Sequence, residues 1–356
     1  MLPLSTSLLL TAKGPVQHGT NHARVLLYAT TKAEDGEELF LYRSFDAHFL
    51  EGLPSDHEIE LAIKEIVELL MKLCEAPFVE AYTGPAILSG KAGGVYFHET
   101  PGHRLEGHRQ KDEDGGQTFT KKVGEKILPS FISIHDDPTI VDIDRIDLNG
   151  HYLFDDEGIR ATRLPVVENG VLKNFLMSRS PVKGFTQSNG HGRGFLDPGT
   201  SVGTLFVETS ELKSEDEIKR EFLEACRDLG LEYGSMLREV KSSSSRSMSG
   251  GGISISFRGD DDPTTEAYKV YVEDDREELV RNVEIDEVNL RTLEDIMGAG
   301  GKKSVLNTET TPKGTIGFSS VPISIVSPSL LLEEVQINPS TAAQQKPALL
   351  THPYYD

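Results

Sequence analysis

Gly94-Val-Tyr-Phe-His-Glu-Thr-Pro-Gly-His-Arg-Leu-Glu-Gly107 sets two imidazoles, His98 and His103, around a short gap, and a carboxylate, Glu99, directly after the first. Neutral imidazole is the commonest protein ligand for zinc and similar metals, and a neighbouring glutamate can take a proton from metal-bound water. In the H-E-x-x-H signature of zinc peptidases the histidines stand four apart, on one helical face. Here they stand five apart. That is roughly 140° around a regular helix, so a straight helix cannot aim both rings at one ion. Pro101 supplies the remedy. It has no N–H for the carbonyl of Phe97 and crowds that turn, so a π-type bulge or kink should bring His98 and His103 back toward one face. The stretch predicts a helix over residues 92–110 that carries the whole motif, entered from the apolar run Val79 to Leu88.

Outward from the motif the chain alternates strand patterns with a few helices. Residues 5–50 read as β, with a hairpin joining Arg24–Thr31 to Leu39–Phe45 across Glu-Asp-Gly-Glu-Glu. Ser55-Asp-His-Glu58 is a capping box opening an amphipathic helix to about Glu75, and Ser214-Glu-Asp-Glu217 opens another over 215–229. Between them lie β patterns at Phe131–Ile134, Thr139–Ile143, Leu164–Val167, Val171–Leu176 and Thr204–Glu208, with Asn169-Gly170 as a hairpin turn. Further strands are expected at 252–258, 266–273, 316–326 and 331–337, and a fourth helix at 289–298. The sum predicts an α+β fold: a β-rich catalytic domain with antiparallel and mixed sheets and a few helices, one of them carrying the His-Glu-x-x-x-His motif. The division expected is 1–75, then 76–340, then a loose tail over 341–356.

Composition fits a folded enzyme of 356 residues. Charged residues make up 26% and the net charge is −21, which argues against a cationic face for a nucleic-acid backbone. Most acidic runs, such as Glu273 to Glu278, read as solvated loop tips, because none has EF-hand spacing. Cys74 and Cys226 sit in helical patterns as small buried thiols, with no C-x-x-C pair. No stretch reaches eighteen apolar residues, and Met1 to Leu10 lacks a basic lead and a cleavage site, so a cytoplasmic protein without membrane contact is expected.

The motif and its flanks resemble the metal-binding segment of the TldD/PmbA metallopeptidases, also called modulators of DNA gyrase. Three further stretches are similar to blocks of that family in the same order. These are Asp155-Asp-Glu-Gly158 followed by Leu164 to Leu176, then Asn189-Gly-His-Gly-Arg193, then Gly250-Gly-Gly252. The likeness runs from about residue 75 to the C-terminus and, through His-Glu-x-x-x-His, points to the TldD side. It implies that residues 1–75 are the remnant of an N-terminal α/β domain, the chain being either a fragment or a truncated relative. It also implies a cysteine as third metal ligand in a glycine-rich turn. The corresponding stretch here, Thr308 to Gly317, contains none.

Together these readings give a function. His98 and His103 are the metal ligands, with one Zn²⁺ per chain, and Glu99 is the general base in hydrolysis of peptide bonds in short or unfolded peptides. Glu106 is either a further ligand or the partner of an imidazole N–H behind one. His191 is a candidate to stand in for the missing cysteine, while His108 and His135 are taken as surface residues. Gly250, Gly251 and Gly252 are either a flexible turn or the place where an extended peptide adds as a strand. The resemblance implies a dimer, with a second copy or with a PmbA-like paralogue. The alternative is a catalytically degenerate TldD/PmbA-like subunit that acts as a binding or scaffold partner, favoured by the absent cysteine.

Overall fold

A computed structural model describes residues 5–11, 14–111, 119–194, 199–240, 264–285, 290–312 and 320–340. Gly250, Gly251, Gly252, the strand expected at 252–258 and the tail after 340 lie outside the described residues. The N-terminal part is two hairpins, β1 (Ser5–Thr11) with β2 (Gly14–Thr20) and β3 (Ala23–Lys32) with β4 (Glu38–Ala47), then helix α1 (Asp56–Glu75). The capping box at its start forms as expected: Ser55 N–H donates to Glu58 and Glu58 N–H to the Ser55 hydroxyl. One apolar face of α1, through Ile66, Leu70 and Leu73, buries against Leu39 and Leu41 of β4.

The rest is built on one mixed sheet. In chain order its parts are β5 (Tyr82–Leu88), α2 (Lys91–Glu99), β6 (Ile132–Asp136), the short β7 (Asp142–Ile143) and β8 (Ile146–Asp147), and β9 (Leu164–Glu168). Next come β10 (Val171–Leu172), β11 (Gly192–Arg193), β12 (Gly199–Thr200), β13 (Thr204–Thr209), α3 (Glu215–Asp228) and β14 (Tyr233–Glu239). Last are β15 (Glu266–Tyr271), β16 (Glu277–Val280), β17 (Val283–Ile285), β18 (Ile296–Thr310) and β19 (Val321–Pro339). Eleven strands form the main sheet, in the order β10-β9-β6-β13-β19-β5-β14-β15-β16, with β17 and β18 also on β19. Pairs β13–β19 and β14–β5 are parallel and the others antiparallel, so the α+β expectation holds.

Strand β19 is the spine. Its first half lies between β13 and β18 and its second half pairs with β5, which places β5 and the helix that follows it at the sheet centre. Three expectations are corrected here. The two strands at 316–326 and 331–337 are one 19-residue strand as far as described, because it finds partners along its whole length. The helix at 289–298 is a 3₁₀ turn, Leu290–Leu293, followed by β18. Gly298 disfavours the end of that helix by about 1 kcal/mol, and β19 offers the ladder instead. The Val171–Leu176 strand shortens to two residues because Lys173 and Asn174 both donate to the Val166 carbonyl and turn the chain away. Asn169 and Gly170 do turn the β9–β10 hairpin, both at positive φ.

Asp46 ties the N-terminal hairpins to the sheet domain. Its buried Oδ1 accepts from Arg24 Nε at 2.6 Å, His22 Nε2 at 2.8 Å and Asn149 Nδ2 at 3.0 Å. Burial pushes its pKa up, but the hydrogen bonds from His22, Asn149 and Arg24 and the Arg24 charge outweigh this and hold it at about 2. A depressed carboxyl contributes stability that is present above its unfolded pKa and lost as pH falls through the folded one. The shift corresponds to about 2 kcal/mol. Asp46→Asn should therefore lower unfolding stability by about 2 kcal/mol at neutral pH, with the gap to wild type closing between about pH 4 and pH 2 in denaturant titrations.

Candidate active site

Helix α2 reaches the sheet on glycine. A Cβ on Gly93 would stand 2.7 Å from the carbonyl oxygen of Pro328, and one on Gly94 2.9 Å from Leu306 Cβ, so α2 lies against β19 and β18 as only glycines permit. Gly93→Val meets a backbone atom that cannot yield. It should cost about 1–3 kcal/mol in thermal melts, with metal affinity falling alongside because the helix that presents His98 is displaced.

The helix does not run to residue 110. It ends at Glu99, with Thr100 N–H donating to Tyr96 as its last bond. Pro101 has no hydrogen for the Phe97 carbonyl, and its own carbonyl accepts from both Arg104 and Leu105, opening a 3₁₀ turn over Gly102–Leu105. So His98 and Glu99 ride on α2, and His103 on the turn after it. Gly102 lets the turn fold back: a Cβ there would be 2.9 Å from the Phe97 oxygen. Arg104 then caps α2 by donating to the carbonyls of Glu99 and Thr100. Gly107 fixes the far end, donating to Leu176 O at 2.8 Å while Leu176 donates to Leu105 O at 2.9 Å. A Cβ at Gly107 would strike Met177 Sδ.

The result brings the motif together. The His98 and His103 rings stand 4.4 Å apart between centroids at 59°. One donor atom each from His98, Glu99 and His103 lies within 4.8 Å of the others. His98 Nδ1 is 3.1 Å from Glu99 Oε1, and His103 Nε2 is 3.8 Å from Glu99 Oε2. His98 is 1% exposed, and burial lowers its pKa against the opposing pull of Glu99, which favours the neutral, ligating imidazole. Two imidazoles beside a carboxylate suit a borderline divalent ion such as zinc. Ligands of one ion lie at most about 4.2 Å apart, so small side-chain rotations complete the approach.

Glu106 sits behind His103. Its carboxylate is 3.6 Å from His103 Nδ1 and accepts from Arg109 Nε. Burial raises its pKa, yet the His103 hydrogen bond and the Arg109 charge prevail and the net direction is down. His191 is not brought to the group. Its Nδ1 is 2.9 Å from Asn189 Oδ1 and its Nε2 3.1 Å from Asp136 Oδ1, and His191 and Asp136 are both fully buried. The Asp155 loop locks onto that same turn: Asp155 accepts from Gly192, Glu157 and Ile159. Burial still carries the Asp155 carboxyl up to about 6.

His135 is corrected from a surface residue to a buried one, stacked on Phe206 at 4.9 Å between rings. His108 is half-buried, with Nδ1 accepting from Thr200 N–H. Cys226 is buried and Cys74 only partly so. Arg104 and Arg109 are the residues that sequence reading missed. The available signal was a basic residue just past a helix end, which meets the last carbonyls.

A family model described as the PmbA/TldA metallopeptidase C-terminal domain matches residues 81–339, more than two thirds of the chain. The chain belongs to the PmbA/TldD metallopeptidase family. A metalloprotease of Archaeoglobus fulgidus is 32% identical over 166 residues, 46% of this chain and 36% of that protein. A TldD-homologue metalloprotease of Haemophilus influenzae is 29% identical over 131 residues, 37% of this chain and 26% of its own length. The chain thus spans only about a third of these curated relatives. The solved structure of TldE from Thermococcus kodakarensis shares the fold, with a TM-score of 0.56 at 17% identity over 92% of this chain and 65% of that one. The family is one of metallopeptidases and so implies a metal ion. Among the described residues no helix is long and apolar enough to cross a membrane.

Proposed function

We propose that this chain hydrolyses peptide bonds in short or unfolded peptides, with one Zn²⁺ held by His98 and His103 and with Glu99 as general base. The observation that carries the proposal is the convergence of His98, Glu99 and His103 within 4.8 Å across a helix end that Pro101 breaks. When bound, the ion supplies Lewis acidity toward the scissile carbonyl and toward water. Glu99 takes the proton of the attacking water and delivers it to the departing amine. Its partial exposure, 27% of the side chain, lets it meet substrate, while buried His98 stays fixed. Gly250, Gly251 and Gly252 would take the substrate main chain as an added strand. Residues 76–340 form the catalytic unit in this reading and 1–75 belong to the family's N-terminal domain. The working form is a cytoplasmic dimer, with a second copy or a PmbA-like paralogue.

The test is purified chain incubated with a mixture of unstructured peptides, with new termini read by mass spectrometry and metal content measured on the same sample. Cleavage should vanish with a chelator and return with zinc. Full zinc occupancy with no cleavage of any peptide would overturn the proposal in favour of a catalytically degenerate subunit.

A further inference from the structure

We infer that the open edge of β3 and the adjoining flank of α1 are a self-pairing surface, on which a second copy of this chain adds its own β3 as an antiparallel strand. The inference gives a surface to the dimer named in the proposed function and rests on that reading for its second copy.

Strand β3 has an open side. Among the described residues it pairs with β4 alone, from Ala23 opposite Ala47 to Lys32 opposite Glu38, without a bulge. Phe40 of β4 turns both main-chain groups away from β3: its N–H donates to Thr264 Oγ1 and its carbonyl accepts from Thr264 N–H. In an antiparallel ladder the pairs alternate between hydrogen-bonded and non-hydrogen-bonded, so Phe40 and Thr30 form a pair of the second kind. Thr30 therefore points its own N–H and C=O away from β4, and the alternation does the same at Leu26. Proteins guard such an edge with proline, charge, a bulge or a very short strand. Strand β3 runs ten residues, and Val25 to Thr31 holds neither proline nor charge.

The flank of α1 beside this edge is apolar. Ile63 and Val67 are each 45% exposed and Met71 64%, spaced four apart along one side of the helix. Leu26, Leu27, Ala29, Ile63, Ile66 and Val67 line one groove between strand and helix. Edge and flank each run about 30 Å.

Charge and symmetry select the occupant. The chain has a net charge of −21, yet β3 holds no acidic residue, only Arg24 and Lys32 toward its ends. Two β3 edges meet without carboxylate repulsion. A two-fold axis normal to the sheet sets β3 antiparallel to its copy and puts both α1 helices on the same face, also antiparallel. With Val67 at the centre, Ile63 lies toward Met71 of the partner subunit. Lys64, on the solvent side of the stripe, then comes opposite Glu68 of the partner subunit, a pair of unlike charge. The product is a four-stranded sheet with two helices on one face, and the apolar stripes are covered.

The test uses the full chain in sedimentation over a micromolar concentration series, with hydrogen exchange read on the same samples. Wild type should dimerise, and exchange at residues 23–32 should slow as the dimer forms. Val67→Lys and Met71→Lys place a charge in the seam at sites that are exposed in one chain, so each should weaken association about 10-fold or more with the melting temperature of the diluted chain kept. Thr30→Pro removes an outward N–H that β4 does not use, and should act likewise. A monomeric wild type would overturn the inference. A dimer that none of the three variants weakens would also overturn it, while leaving the proposed dimer standing on another surface. Protection of residues 23–32 that does not depend on concentration would assign the edge to a segment of the same chain and overturn it too. Peptide cleavage is scored separately, so a chain that dimerises in this way but cleaves nothing counts against the proposed hydrolysis and not against the surface.

Discussion

Glu99→Gln is expected to lower peptide hydrolysis by about 10²–10⁴-fold, with fold and metal content unchanged. Glutamine has nearly the shape of glutamate and keeps an oxygen for His98 Nδ1, which lies 3.1 Å from the Glu99 carboxylate. It cannot take a proton from water. The loss should therefore appear in kcat and little in KM, because the residue acts on charge that develops in the transition state. Single-turnover cleavage of one defined peptide, with zinc measured in the same preparation, separates the two quantities. Cleavage at the wild-type rate with equal zinc would assign the base to another residue.

His98→Ala combined with His103→Ala should take zinc from about one ion per chain to near none, since sites of this kind use three or four protein ligands and two would be gone. The single variants should differ. His98 is buried under the sheet face, so its removal also leaves a cavity and should lower the melting temperature. His103 lies on the 3₁₀ turn with a partly exposed side chain, so its loss should weaken metal with little change in stability. Metal content of the double variant equal to that of wild type would place the ion elsewhere in the chain.

Both predictions rest on residues legible from the motif alone. The chemistry of His98, Glu99 and His103 is a matter of residue type and neighbour, and Pro101 announces a break because a missing N–H acts locally, whatever surrounds it. The capping boxes at Ser55 and Ser214 and the Asn169-Gly170 turn are local in the same sense, each closed by bonds within four residues, and each appears as expected.

The form of the break was not local. A bulge and a helix that ends into a 3₁₀ turn satisfy the same proline. The second is chosen by Arg104 on the open carbonyls, by Gly102 against Phe97 and by Leu105 and Gly107 pinned to Leu176, about seventy residues on. In the same way Ile296 to Gly298, the end of the helix expected at 289–298, becomes strand because β19 supplies its bonds.

His191 shows the limit most plainly. Its type and its turn suit a metal ligand, but which groups its nitrogens meet depends on Asn189 and on Asp136, 55 residues away on β6. The reactive groups, the break at Pro101 and the β-rich class were readable from residue order alone, because residue chemistry and short-range hydrogen bonding act within a few residues. The meeting of His98, Glu99 and His103, the hold of Asn189 and Asp136 on His191, and the place of Arg109 and Glu106 behind His103 come from long-range packing. Those distances are set by the packing of α2 through Gly93 and Gly94 onto strands far along the chain.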